Sequence, residues 1–390
     1  MTAFLRRQTA LVAASIALVA GLPLPELSAH QPVSSRFTYS RDVLPILRSR
    51  CLACHCEHGI APMALSTYRD AKTWASAIRA ALLAGEMPPW PSEGDVALAG
   101  EGTATAPLAG RELDVLLDWS SGGAPEGEPA TPVPPEALAP APAREDGTLV
   151  LPLPEEVVLP LNEVEKSVEV LLDPGVDRDR WLRSWELRPG ERAALRDAWI
   201  TLERDGAPPE PLGAWTPALG SADLGADAGR LIARGVRVRL SLHYRRAFQN
   251  RGRELRDRSA LALRFHAGEP ARRARVEAWG PLAPGGTFTA ERRLRLRALL
   301  ARVPPARVPI EGAASAPWEL RLSGGAGGAS SGARLLVAVE ALRLGWPAML
   351  RPLEPPELEP GARLSLEREG KPLAVAPAEI WLEFDERARL

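Results

Sequence analysis

The cysteines of this chain are few and closely spaced. The 390 residues contain three, Cys51, Cys54 and Cys56, which all lie within six positions of one another. Disulfides stabilise a fold by linking distant segments, and exported proteins of this size commonly contain them. Thiols this close together cannot link distant segments, so the cluster indicates a bound cofactor.

The cluster has the pattern Cys-x-x-Cys-His, because His55 directly follows Cys54. This is the attachment pattern of haem c, in which two thiols form thioethers with the porphyrin and the histidine binds its iron. A zinc site would need further ligands, and a redox dithiol would need a flanking strand and helix unit that the pattern does not show. The sequence therefore predicts one covalent haem c on Cys51 and Cys54, with His55 as an axial ligand.

The second axial ligand is predicted to be Met87, which lies 32 residues after His55. His58 and Met63 are too close to His55 in the chain to reach the opposite face of the iron. Met87 follows a predicted helix and precedes two prolines, whose fixed φ angles stiffen the loop. A methionine and histidine pair raises the reduction potential relative to two histidines. The alternative is that Met87 fills a core.

Cys56 has no partner thiol once Cys51 and Cys54 carry the haem. Two interpretations stay open. It is a buried free thiol, or it forms an intermolecular disulfide or senses oxidation.

The N-terminus is typical of an export signal, predicted over residues 1–29. Arg6 and Arg7 precede an apolar run over residues 11–22, and small residues follow at Ser28-Ala29. That run is too short to span a bilayer comfortably, although an uncleaved anchor is the alternative. The mature protein is therefore expected to be periplasmic or secreted.

Charge excludes one class of partner. The chain has 48 Lys and Arg against 49 Asp and Glu, a net charge of -1. A balanced charge provides no steering towards nucleic acid. Arg237 and Arg239 alternate with apolar residues, which predicts a solvated strand face, with a docking patch for an acidic partner or an anionic surface as the alternative.

The periodicity of apolar residues changes along the chain. Helical spacing marks residues 42–47, 68–85 and 111–119 within a segment spanning 36–127. Pro, Ala and Glu then dominate a predicted linker over 128–155. From residue 156 the period becomes two, with strands predicted at 168–172, 236–242, 261–265, 318–322 and 335–339. Two β-sandwiches, 156–268 and 269–390, would accommodate these strands.

The segment from Phe37 to Gly127 resembles the cytochrome c-like domain of bacterial proteins that also carry a copper type II, ascorbate-dependent monooxygenase module. The matching stretches are residues 39–47, 61–68, 87–90 and 123–127. The later segments 188–190, 215–217, 240–244 and 352–364 are similar to that monooxygenase module. The resemblance implies a multidomain fold: a small all-α cytochrome c-like domain followed by two all-β jelly-roll-like sandwiches.

The same resemblance implies two copper sites, but most of their ligands are replaced here. Residues 191–196 stand where a His-His pair belongs, 305–307 where a His-x-His pair belongs, and 386–387 where a Met belongs. Of six implied ligands, His243 remains. One imidazole does not hold a redox copper, and arginine repels a cation. Copper and monooxygenase activity are therefore not expected.

We interpret the sequence as an exported electron-transfer cytochrome with one haem c and non-catalytic sandwich domains. Its partner would be a redox protein, with association to a membrane-bound or outer-membrane complex as a further expectation. Two alternatives stay open: a copper monooxygenase with its own haem donor, and a haem-based sensor of redox state or ligands.

Overall fold

The computed structural model describes residues 34–88, 92–93, 108–129, 147–279, 287–302, 318–323, 334–339, 347–352, 355–368, 371–372 and 379–387. The predicted signal peptide, the linker from 130 to 146 and the replaced copper-ligand positions 305–307 lie outside these ranges. Within them the chain is mostly β-sheet, and its α-helices lie before residue 122. The predicted predominance of sheet after residue 156 is confirmed.

Four helices follow a π-helical turn at Tyr39–Val43. They are α1 (Leu44–Arg50), α2 (Tyr68–Thr73), α3 (Ala75–Leu83) and α4 (Gly110–Ser121). Within the described parts of the chain, no helix is long and apolar enough to cross a membrane. The three helices predicted from periodicity are formed, but the one predicted over 68–85 is divided at Trp74.

The helices share a small hydrophobic core. Val43, Leu47, Leu116 and Trp119 are almost fully buried in it. The indole nitrogen of Trp119 donates to the carbonyl oxygen of Pro125 at 3.0 Å, which satisfies its polar atom inside the core. Burial of these side chains, rather than helix propensity, stabilises helices this short.

The strands, in chain order, are as follows: β1 Ser92–Glu93, β2 Thr148–Pro152, β3 Val157–Leu159, β4 Glu165–Leu172, β5 Arg180–Arg188, β6 Leu195–Glu203, β7 Glu210–Trp215, β8 Ala222–Asp223, β9 Ala228–Ile232, β10 Arg237–Arg245, β11 Leu255–Asp257, β12 Ala260–Phe265, β13 Arg272–Trp279, β14 Thr287–Thr289, β15 Leu294–Arg302, β16 Trp318–Ser323, β17 Arg334–Val339, β18 Ala348–Leu350, β19 Glu357–Leu358, β20 Arg363–Arg368, β21 Lys371–Pro372 and β22 Glu379–Arg387. All five strands predicted from period-two spacing are among them.

Strands β2 to β12 form what we call the first sandwich. A four-stranded sheet, in the order β4-β10-β6-β7, shares one hydrophobic core with strands β2, β12, β5 and β9. Strand β10 shows why: Leu240, Leu242 and Tyr244 are buried while Arg239 and His243 lie on the other face. Alternation of this kind buries one face of a strand and leaves the other to solvent.

The second sandwich is built in the same way. A six-stranded sheet, in the order β1-β17-β16-β20-β14 with β21 beside β20, shares one hydrophobic core with strands β15, β18 and β22 of another sheet. Its core includes Leu296, Leu364, Leu382 and Phe384. Phe288 stacks on Phe384 with ring centroids 4.9 Å apart.

One sheet runs through both sandwiches. Strand β9 of the first sandwich pairs in parallel with β13 of the second, with Ala228–Arg230 beside Arg272–Ala274. This pairing joins one sheet of each sandwich into a single sheet of ten strands. Trp199 of the first sandwich also packs on Trp381 of the second, at 5.3 Å between ring centroids. The sequence pattern did not reveal this junction, because strand pairing between distant segments leaves no periodic signal.

The predicted linker contains structure at its end. Strand β2 lies inside the predicted linker and pairs with β12, for example Leu151 with Leu261. Leu149 and Leu151 are partly buried against the first core. The abundance of proline before this stretch led to the prediction of a linker, although the stretch itself alternates as a short strand.

Candidate functional site

The Cys-x-x-Cys-His motif continues directly from the end of α1. The backbone N–H of Cys51 donates to Leu47 O at 2.8 Å, and those of Cys54 and His55 donate to Cys51 O at 3.1 and 2.9 Å. Leu52, within the motif, is fully buried in the helical core. The motif is therefore a turn, anchored by Leu52, that sets the two thiols one turn apart.

Both thiols of the motif are free and belong to partly exposed residues. Burial, followed by the charge of Glu112, raises the pKa of the Cys51 thiol to about 12. Burial and the neighbouring thiols raise the pKa of Cys54 to about 12, despite the opposing charges of Arg192 and Arg196. The raised pKa of each thiol favours its protonated form.

The ring of His55 is buried, with 9% of the residue exposed. Burial lowers its pKa, so the imidazole is neutral. Its Nδ1 lies 3.1 Å from the carbonyl oxygen of Met63. A carbonyl only accepts hydrogen bonds, so Nδ1 carries the proton and Nε2 keeps a free lone pair. A hydrogen bond of this kind orients a metal-binding histidine and fixes its tautomer.

The residues after His55 fold back on the motif. We call residues 56–63 the motif loop. The N–H of Ala61 donates to Cys54 O at 3.1 Å, and the N–H of Leu65 donates to His55 O at 2.7 Å. At Gly59 an added Cβ would lie 2.3 Å from Cys54 O and 3.0 Å from the Cys56 sulfur. Only glycine fits at this close approach, a requirement that the sequence pattern did not disclose.

Cys56 begins the motif loop and is buried beside Gly59. Burial raises the pKa of its thiol. A buried, protonated thiol behaves as a small apolar side chain. This geometry favours the simpler of its two interpretations, a buried free thiol.

Met87 lies just beyond α3, where Gly85 has a φ of 62° and ends the helix. The residue is 39% exposed, and its N–H is 3.4 Å from Ala81 O. The described contacts bring Cys51, Cys54 and His55 together but do not link Met87 to His55. Its role as the second axial ligand stays a prediction.

Residues of the first sandwich also lie against the motif loop, although no short-range sequence pattern indicates these contacts. Gln249 and Asn250 hydrogen-bond to backbone atoms of this loop. The guanidinium groups of Arg192 and Arg196 are close enough to influence the Cys54 thiol. Arg192 occupies the segment where the family resemblance implied a copper ligand.

His243, the copper ligand retained in the resemblance, is held between two carboxylates. Its Nδ1 lies 2.8 Å from Asp197 Oδ2 and its Nε2 lies 2.5 Å from Glu165 Oε1. Burial works against protonation, yet the hydrogen bonds and charges of Asp197 and Glu165 raise the pKa of His243. With both ring nitrogens engaged, His243 offers no lone pair to a metal.

Within the described ranges, no three His, Cys, Asp or Glu side chains converge as a metal site. A haem requires less of the protein, because the porphyrin supplies four of the iron ligands. The motif residues fit such a group: two free thiols one turn apart, and a neutral imidazole with Nε2 available.

Comparisons with known proteins leave the family undetermined. No family model matches the chain, and no curated protein matches it. Two solved structures show weak similarity: a proposed alpha-L-fucosidase from Bacteroides ovatus ATCC 8483, with 10% identity and a TM-score of 0.16 over 55% of this chain and 37% of that one, and a mutant of Bacillus subtilis oxalate decarboxylase, with 9% identity and a TM-score of 0.15 over 62% and 76%. The chain thus spans less than half of the fucosidase structure. Neither likeness supports an argument about fold or function.

Proposed function

We propose that this chain is an exported c-type cytochrome that transfers one electron at a time. Cys51 and Cys54 would hold one haem c through thioethers, and His55 would bind its iron through Nε2. The observation that carries the proposal is the hydrogen bond from His55 Nδ1 to Met63 O, which leaves Nε2 free beside two unpaired thiols. When bound, haem c supplies reversible one-electron chemistry at its iron.

The chain's own residues would orient the group and surround it with protein. Leu52 anchors the turn that carries both thiols, and the Met63 carbonyl holds the ring of His55. Met87 would supply the second axial ligand from the end of α3. The positive charges of Arg192 and Arg196 lie beside the motif, which suits a group that bears two carboxylates.

The finer architecture belongs to the same proposal. Residues 36–127 would form a cytochrome c-like domain, followed by two jelly-roll-like sandwiches over 156–268 and 269–390. Five of the six copper ligands that the resemblance implies are replaced, so the sandwiches would act as a scaffold or as a surface for a redox partner. Export through residues 1–29 would take the protein to the periplasm or beyond.

A pyridine haemochrome spectrum of the exported protein tests the proposal. Cys51→Ser together with Cys54→Ser should abolish covalent haem, because both thioether positions are lost. Cys56→Ser is the matched control and should keep the haem, since its buried thiol lies outside the attachment pattern. Wild-type protein without covalent haem overturns the proposal, and stoichiometric copper beside iron would support the monooxygenase alternative.

A haem-based sensor is the second candidate, and the exposure of Met87 favours it. A sensor needs an iron position that an external ligand reaches. If Met87→Ala leaves the reduced spectrum and the reduction potential unchanged, Met87 is not an iron ligand and the sensor is preferred. A changed spectrum supports the electron carrier.

A further inference from the structure

Side-chain amides are scarce in this chain. Gln8, Gln31, Asn162, Gln249 and Asn250 are the ones in its 390 residues. Two of them are adjacent, in a short 3-10 turn at Phe248–Asn250 that follows β10 of the first sandwich. Both point their amides at the motif loop, about 190 positions earlier in the chain.

Both the oxygen and the nitrogen of the Gln249 amide hydrogen-bond to this loop. Its Oε1 accepts from the N–H of His58 at 3.2 Å, and its Nε2 lies 2.8 Å from Ala61 O and 3.1 Å from Gly59 O. A weaker contact reaches Cys56 O at 3.4 Å. His58 has a φ of 56°, a left-handed conformation that a non-glycine residue keeps only when its surroundings hold it.

Asn250 adds a second contact and is almost completely buried, with 2% exposed. Its Nδ2 donates to Gly59 O at 3.2 Å. The turn itself is held by the buried guanidinium of Arg246. That group donates to Asn250 O at 3.2 Å, to Leu159 O and Pro160 O at 2.7 Å each, and to Arg253 O. The amide pair therefore projects from a well-supported part of the first sandwich.

The motif loop leads from these contacts to His55. Gln249 binds the backbone at Ala61, and two residues later the Met63 carbonyl accepts the proton of His55 Nδ1. A shift of the loop would move that carbonyl and loosen the ring. We infer that Gln249 and Asn250 are positioning residues for His55, so that the first sandwich forms part of the haem site. This inference rests on the proposed haem function.

The test compares Gln249→Ala and Gln249→Glu with Asn162→Ala in the haem-loaded full chain. Asn162 is an exposed amide of the same sandwich and serves as the matched control. Gln249→Glu keeps the acceptor for His58 N–H but replaces the donor with an oxygen that repels three carbonyls. The readouts are hydrogen exchange at the His58 amide and the reduction potential of the haem.

We expect His58 N–H exchange on the order of tenfold faster in Gln249→Ala, because its acceptor is gone. The reduction potential should shift in both Gln249 variants and stay unchanged in Asn162→Ala. A Gln249→Ala protein with wild-type exchange and potential overturns the inference. Far-UV circular dichroism checks that the variants fold. Gln249→Glu preserves the size of the side chain, so its reduction potential provides a second measurement if Gln249→Ala does not fold.

Failure of the haem proposal can be distinguished from failure of the positioning role. Wild-type protein without covalent haem overturns the proposed function and the positioning of an iron ligand with it. Haem present, with potentials identical in all three variants, overturns the positioning role alone. Altered exchange without an altered potential also counts against it, since the contact would then be structural only.

Discussion

His55 in the motif turn and His243 on strand β10 are two partly or fully buried histidines held in different ways. His55 makes one described hydrogen bond from its ring, to a backbone carbonyl. His243 is bound at both nitrogens, by Asp197 and Glu165. The pKa of His55 is lowered by burial, whereas the two carboxylates raise that of His243.

The difference teaches what makes a histidine available as a ligand. A neutral ring with one free nitrogen can bind a metal, whereas a ring between two carboxylates acts as a cation that ties strands together. His243 pairs directly with Asp197 of β6 and lies near Glu165 of β4, so it links three strands. Residue type alone does not separate these roles.

The largest effect is expected when each imidazole ring is removed in turn. If His55 binds the haem iron as proposed, His55→Ala should abolish the low-spin spectrum of the reduced protein, because the axial nitrogen would be lost. His243→Ala should leave that spectrum unchanged. The reduced absorption spectrum of both variants gives the answer. A spectral change in His243→Ala, with none in His55→Ala, would reverse the assignment of the two roles.

The next largest effect is expected at Gly59. A Cβ there would overlap the Cys54 carbonyl, so Gly59→Ala should destabilise the fold by about 1–3 kcal/mol through overpacking. Denaturant unfolding measures this free energy.

Gly110 provides the matched control for that substitution. It begins α4, has open space around its Cα and has no positive φ. Gly110→Ala should be neutral or stabilising by up to about 1 kcal/mol. Equal destabilisation by both substitutions would show that the motif loop tolerates a side chain at residue 59.

His243 should make stability depend on pH. Its folded pKa is raised, so its stabilisation is complete below the unfolded pKa of about 6.5 and is lost as the pH rises through the folded pKa. His243→Gln should lower the free energy of unfolding by about 1–2 kcal/mol near pH 6, because charge-assisted hydrogen bonds are lost. Unfolding free energies over a pH series measure both effects.

The control for this prediction is the slope of the unfolding free energy against pH, not its absolute value. Wild-type stability should fall between about pH 6.5 and the folded pKa, and the variant should lack this contribution. If the variant keeps the full wild-type slope, the interpretation of His243 as a strand-linking cation is wrong.

The smallest effect is expected on the exposed face of the same strand. Arg237 pairs with Asp205 at 2.8 Å, with both side chains largely exposed. Arg237→Ala should change the unfolding free energy by no more than about 1 kcal/mol, because water screens such pairs. A larger loss, measured by the same denaturation, would place Arg237 in a structural network like that of His243.

Local patterns predicted several parts of the molecule well. Most of strand β10, including Arg237, followed from alternation over residues 236–242, since one buried face imposes a period of two. The helices containing Tyr68 and Trp119 followed from helical spacing. The Cys-x-x-Cys-His turn is likewise local, because its hydrogen bonds join residues within one turn of each other.

Contacts between distant segments could not be predicted in this way. Gln249 meets Ala61, and β9 meets β13, through pairings that no short-range pattern encodes. The ten-stranded sheet and the amide contacts on the motif loop emerge only when the chain is folded.

Short-range patterns in the sequence were enough to locate two thiols and a histidine on one turn, and to identify the segments that alternate as strands. Which histidine keeps a free nitrogen depends on contacts that form only in the folded chain. Folding brings a carbonyl to His55 and two carboxylates to His243. The physical reason is that proton placement on imidazole depends on its neighbours in space, and those neighbours come from different parts of the chain.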